Sequence, residues 1–269
     1  MTLVLTTFKK YLYIFWRFRV MNFMIMLEYR YDFIFWGFVS VMWTVFNFFF
    51  MSVLVGTTGA IADWNKDEIF VLMSIFTIYD AFTWSFFYFN MQRYMNNVFT
   101  GELDRFLVRP VDAQFMLSVE HNSLNNIFRI FIGIVMLVIS LSHLHQSISF
   151  YSLVLFFITF FLGFVLTYSI WFFIATFAFY VDRLNNLNDV LPSLRRLSQL
   201  PRSVYSGLSS ILFCVIFPVV LVTSIPAEAL LNKFNPAWTL YAVIFSLAML
   251  WLSRQFFHFS IRRYGSAGS

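Results

Sequence analysis

Long apolar runs without charge alternate with short polar ones along the whole chain. A helix needs roughly 20 mostly apolar residues to cross the hydrocarbon core of a bilayer. Six runs come up to that length: Phe33 to Val55, Ile69 to Phe89, Leu124 to Ser142, Ile148 to Tyr180, Gly207 to Ile225 and Ala237 to Phe257. Asp80 lies inside the second, Arg129 near the start of the third and Arg254 near the end of the sixth. The fourth is longer than one perpendicular crossing needs, so it tilts, protrudes or begins as an interfacial segment. The pattern predicts an all-α integral membrane protein, one domain over residues 1–269, with six transmembrane helices.

Composition agrees with the pattern. The chain is 60% hydrophobic, 22% aromatic and only 12% charged, with a mean hydropathy of +0.76, whereas soluble domains are about a quarter charged. Such a chain cannot cover itself with polar groups, and lipid must do so. Cys214, the single cysteine, sits in an apolar run and can form no disulfide within the chain. Lys9 and Lys10 precede apolar residues as in a signal peptide, but Arg17, Arg19, Glu28 and Arg30 interrupt the run and no small-residue cleavage site follows, so the segment reads as retained.

Basic residues fix the orientation. With six spans both termini share a side, and every one of the 18 Lys and Arg except Lys66 and Lys233 falls on that side. By the positive-inside rule both termini are cytosolic. The same asymmetry accounts for the net charge of +5, and nucleic-acid binding need not be invoked.

Two kinds of amphipathic element are expected on the cytosolic face. Within residues 1–30, Thr2, Thr6, Lys9, Lys10, Tyr13 and Arg17 fall on one helical face about 100° wide, which reads as a helix lying in the membrane interface. The loop over residues 90–123 carries GELDRFLVRP, Gly101 to Pro110. There Gly101 opens a helix, Glu102 and Asp104 occupy its first turn, Arg105 and Arg109 lie toward its end, and Pro110 stops it. Leu103, Phe106 and Leu107 form one apolar face, while Glu102, Arg105 and Arg109 share another. An isolated helix of two turns is marginal in water. It needs a surface to dock on, either a partner or the protein's own helix ends. The second cytosolic loop, residues 181–206, repeats the motif more weakly through Leu184, Leu187, Leu191, Leu194 and Leu197, with Pro192 breaking the run.

These features resemble the membrane subunits of type-2 ABC exporters. The match lies in the interfacial first helix, six spans, the pattern Gly101, Leu103, Asp104, Leu107, Arg109, Pro110 after the second span, and a proline-bearing fifth span leading to a short outer helix over 226–236. The chain is more narrowly similar to bacterial permeases encoded as unequal pairs with one ATPase, whose Tyr-Gly/Ser-Ser-Ala-rich tails match Arg263 to Ser269. The resemblance implies a plasma-membrane permease working with a second permease chain, more in keeping with a different chain than a copy, and with two ATPase subunits. Glu102, Leu103, Asp104, Arg105, Phe106, Leu107 and Arg109 would dock on the ATPase: Leu103, Phe106 and Leu107 as knobs, Glu102, Arg105 and Arg109 at the rim. Pro226 would start the outer helix and Asn235-Pro236 would stop it.

Other chemistry is sparse. There is no Gly-rich phosphate loop with a following Lys-Ser/Thr, so the chain carries no cofactor of its own and is not itself an enzyme; ATP and Mg are expected in the partner ATPase. His-Glu-x-x-His, Gly-x-Ser-x-Gly and Ser-x-x-Lys are absent as well. His143 and His145 have no carboxylate or thiol nearby in sequence to complete a metal site, and no metal is expected. Glu120-His121 reads as a loop or helix-end feature. Asp80 is either a polar site in the substrate path or a hydrogen-bonded contact between helices, because an ionisable group inside a span is costly and faces protein or water. An alternative to the ATP-driven exporter is an ion-coupled secondary transporter or channel, for which Asp80 is the one clear coupling residue.

Overall fold

The computed structural model describes residues 2–144, 148–181 and 192–264, and every regular element among them is helical. In chain order these are α1 (Thr2–Glu28), α2 (Arg30–Thr58), α3 (Lys66–Thr100), the single turn α4 (Asp104–Leu107), α5 (Ala113–Val119), α6 (Ile127–His143), α7 (Phe150–Phe179), α8 (Gly207–Ile216), α9 (Leu221–Leu230) and α10 (Pro236–Ile261). Four of them, α2, α3, α7 and α10, are long and apolar enough to cross a membrane. At 17 residues α6 is shorter, near the lower limit for a crossing.

The fifth expected span is not one helix. α8 and α9 meet at an angle of 89°, and the break falls at Phe217-Pro218. Pro218 cannot donate to a continuing helix, and Phe217 before it leaves the helical region at φ −119°, ψ 79°. The Gly207 to Ile225 run is therefore a broken or re-entrant pair. The outer helix shifts with it: α9 ends at Leu230, Pro226 lies inside it rather than at its start, and Asn235 caps α10 by accepting from the N–H groups of Ala237 and Trp238. Asn235-Pro236 thus begins a helix where a stop was expected, because Pro is well placed in a first turn.

Two tightly packed groups of helices form the interior. α3 lies against α6, and α7 lies against both α9 and α10. Gly133 on α6 makes the first contact possible, since a Cβ there would come within 2.6 Å of Ile78 Cγ1. Aromatic contacts weld the second group to α3: Tyr94 stacks on Phe172 with ring centroids 4.9 Å apart, and Phe257 meets both rings edge-on.

The bundle has two chemically distinct ends. At one, Asn65 and Glu68 form a reciprocal cap at the start of α3, and Lys233 pairs with Glu68 at 2.7 Å. Lys233 thus lies at the same end as Lys66, in keeping with the grouping of these two lysines. At the other end α1 runs along residues 110–120: Lys10 donates to the Pro110 carbonyl at 2.8 Å and Asn22 to the Glu120 carbonyl at 2.9 Å. The basic stripe of α1 is therefore partly used on the protein's own loop.

Candidate functional sites

Around GELDRFLVRP the helix is placed differently from the periodicity. α3 continues through Asn90 to Thr100, so the first part of the expected 90–123 loop is helical. Gly101 closes that helix at φ 77° in the left-handed region, which glycine adopts without penalty. Only Asp104 to Leu107 form a turn of their own. The expected two-turn helix opened by Gly101 is instead a helix end followed by one tight turn.

That turn is anchored from within. Leu103 and Phe106 are 0% and 1% exposed, packed in the core that also holds Tyr94, Met95, Phe172 and Phe257. In this conformation they are covered by the protein's own helix ends. Leu107 and Asp104 are half-buried, and Glu102, Arg105, Val108 and Arg109 are exposed, Val108 at 80%. Arg105 reaches Glu120 at 3.6 Å, Glu120 lies 3.3 Å from the His121 ring, and Arg93 contacts His121 at 3.0 Å. Burial alone would raise the Glu120 carboxyl, but His121 and Arg105 hold it below its ordinary value. Alongside, Arg254 of α10 grips Asp112 at 2.6 Å and Gln114 at 3.0 Å. The Glu120-His121 pair is thus part of a brace that fixes the turn to α3, α5 and α10.

Asp80 defines a second site. It is 3% exposed and held from two directions. Arg129 of α6 donates to its carboxylate at 2.6 Å and also donates to Thr44 of α2 at 3.1 Å, while Arg195 forms a second ion pair with it. The Arg195 guanidinium lies over the Trp84 ring, 4.6 Å from its centroid. Trp84 begins a π-helical stretch, Trp84 to Tyr88, and this widening frees the Ser85 carbonyl to accept from the Ser123 N–H at 2.9 Å. Asn90 then knits the same corner by donating to the carbonyls of Phe86, Ser118 and His121.

The arginine from residue 195 comes from a segment expected to be a cytosolic loop. Residues 192–206 instead thread through the bundle. Ser198 donates to the Val219 carbonyl, Arg202 pairs with Glu228 at 2.6 Å, and Ser203 donates to the Ala62 carbonyl in the connection between α2 and α3. Pro192 and Pro201 prevent a continuous helix, and Leu194 and Leu197 pack beside Cys214 and Val219 to Leu221. Arg195 and Arg202, counted with the cytosolic basic residues, are thus spent inside the fold on Asp80 and Glu228. Leu184, Leu187, Leu191, His145 and the tail from Gly265 lie outside the described residues.

The Asp80 cluster forms part of the wall of a cavity of about 970 Å³, bounded by α2, α3, the start of α6 and the 192–199 segment. Trp36, Trp43, Phe46 and Phe50 of α2 line it on one side, and Arg129, Arg195 and Arg196 on another. Sequence reasoning singled out Asp80 but not its partners. Arg129 was visible as a charge inside a span; for Arg195 no sequence signal existed.

An all-helical protein with several bilayer-length helices and a charged cavity open on one side belongs to the multi-pass membrane proteins. Residues 41–268 match the family model described as ABC-2 family transporter protein, and the chain belongs to that family. It is accordingly a membrane permease of an ABC transporter, the membrane subunit rather than the ATPase. The match begins within α2 and covers every charged group of the cavity except Asp32. Neither curated proteins nor solved structures gave a match.

Proposed function

We propose that the chain is the permease subunit of an ATP-driven exporter in the bacterial plasma membrane, with both termini cytosolic. In this reading it crosses six times, α6 and the chain through residues 192–206 each serving as a passage, with the bent α8–α9 pair re-entrant from the end that carries Lys66 and Lys233. It pairs with a second, different permease chain. Two ATPase subunits, which bind ATP and Mg, dock beneath it. Asp80 is a polar site of the substrate path. The observation that carries the reading is the construction of the Gly101 to Pro110 turn, exposed at Glu102, Arg105, Val108 and Arg109 and wedged into the core by Leu103 and Phe106.

A push on such a turn is delivered to the helix ends that share its core, those of α3, α7 and α10. Closure of the ATPases on nucleotide would then bias the bundle between two states through their differential affinity for it. The docking role passes from Leu103 and Phe106 to the exposed rim, while these two side chains transmit. No observation favours ion coupling, and the double arginine clasp on Asp80 weighs against a carboxylate free to carry an ion.

Purification of the complex from its native membrane, with identification of every subunit, tests the proposal. An ATPase bearing a phosphate-binding loop and a second permease should be recovered with the chain. Recovery of the chain alone, with transport independent of ATP, would overturn it.

A further inference from the structure

The cavity beside Asp80 holds more positive charge than its acids cancel. Asp80 is shared between Arg129 and Arg195. Arg196, exposed on the same wall, has no carboxylate partner among the described residues. The other acid of the wall, Asp32, stands 12 residues before Thr44, the residue level with Arg129. That separation is about 18 Å along α2, and even with Asp32 counted the three arginines of the wall exceed its two acids by one charge. Surplus guanidinium charge beside a bilayer is unfavourable without an anion, and guanidinium binds phosphate-type oxygens through two parallel hydrogen bonds.

The opposite wall has a different character. Trp36, Trp43, Phe46 and Phe50 are each more than half exposed and follow one another along α2 over 14 residues, about 21 Å of helix. The cavity thus joins a cationic patch to an elongated aromatic flank, all within one space of about 970 Å³.

From this arrangement we infer that the cavity binds an anionic amphiphile, with its acidic head on Arg195 and Arg196 and its apolar tail along the aromatic flank of α2. This inference rests on the permease reading in naming that ligand class as the cargo. The binding itself does not depend on an ATPase.

The test uses the full chain, with whatever subunits purify alongside it, in uncharged maltoside micelles. Saturable binding of radiolabelled dodecyl phosphate is measured, with inorganic phosphate, dodecanol and dodecyltrimethylammonium as competitors. Dodecyl phosphate should bind saturably and none of the three competitors should displace it at equal concentration. Arg196→Gln, at an exposed position, should weaken binding about tenfold, the loss of one charge-assisted contact, and Trp43→Ala should weaken it without altering the discrimination against the cationic amphiphile. Wild-type affinity in Arg196→Gln would overturn the inference. So would equal displacement by the cationic amphiphile, or by inorganic phosphate alone, which would mark a simple anion site. Because no nucleotide enters the assay, its failure leaves the ATPase-coupled reading intact, and absence of an ATPase leaves the assay readable.

Discussion

Arg129 of α6 crosses to Asp80 of α3 and closes on its carboxylate at 2.6 Å, while its Nε holds Thr44 of α2. One guanidinium therefore ties three helices at the wall of the cavity, and Arg195 fastens the 192–199 segment to the same carboxylate. Removing one partner of a buried ion pair costs about 3–5 kcal/mol when it leaves a charge uncompensated, as Asp80→Asn does, and less for Arg129→Gln, which leaves Asp80 paired with Arg195. Asp80→Asn and Arg129→Gln should each lower the thermal midpoint of the purified protein. The double variant should lose less than the two single losses added together, as expected for groups in direct contact. Strict additivity would show that the pair does not act as a unit.

The contact between α3 and α6 depends on the absence of a side chain at Gly133. Gly133→Ala should destabilise by about 1–3 kcal/mol, the usual cost of overpacking, because the added carbon meets Ile78 Cγ1 at 2.6 Å. At Gly56 the same Cβ would meet nothing within 4 Å, so Gly56→Ala in α2 serves as the control and should leave the thermal midpoint unchanged or raise it slightly. Parallel melts of the two variants check the difference.

Much of this was legible in the sequence and some was not. Four spans follow from apolar run length, because a bilayer demands a fixed number of apolar residues and α2, α3, α7 and α10 supply it. The GELDRFLVRP element was recognisable, but its direction was not: Gly101 suits a helix end as well as a beginning, and only the long reach of α3 to Thr100 decides between them. Periodicity identified Leu103 and Phe106 as side chains that need cover without saying whose. The path of residues 192–206 was hidden because its polar groups, Arg195 and Arg202, resemble those of a cytosolic loop until Asp80 and Glu228 are seen opposite them.

The Asp112 to Arg254 tie gives a pH prediction. Burial alone would raise the Asp112 carboxyl, but the Arg254 guanidinium and the Phe115 N–H hold it below its ordinary value of 3.8. A carboxyl with a lowered folded pKa contributes stability in full above its unfolded pKa and loses it as pH falls through the folded pKa. The difference in thermal midpoint between wild type and Asp112→Asn should therefore be constant from about pH 7 to pH 5 and shrink only below about pH 4. With Arg254 44% exposed, the pair is worth no more than about 1 kcal/mol. A difference that fades between pH 7 and pH 5 would point to another group.

Burial separates the two faces of the 101–110 turn. Leu103→Ala should cost about 2–5 kcal/mol by emptying a packed site. Val108→Ala, at a position 80% exposed, should stay within about 0.5 kcal/mol. Thermal unfolding of both in detergent reads the contrast directly.

The central claim is that this turn receives the ATPase. The most direct measurement is recovery of ATPase with affinity-purified permease carrying Val108→Glu and Arg109→Glu, both exposed and outside the core. The account predicts a permease with an unchanged melting profile from which the ATPase is lost. Wild-type recovery of the ATPase with that double variant would contradict it.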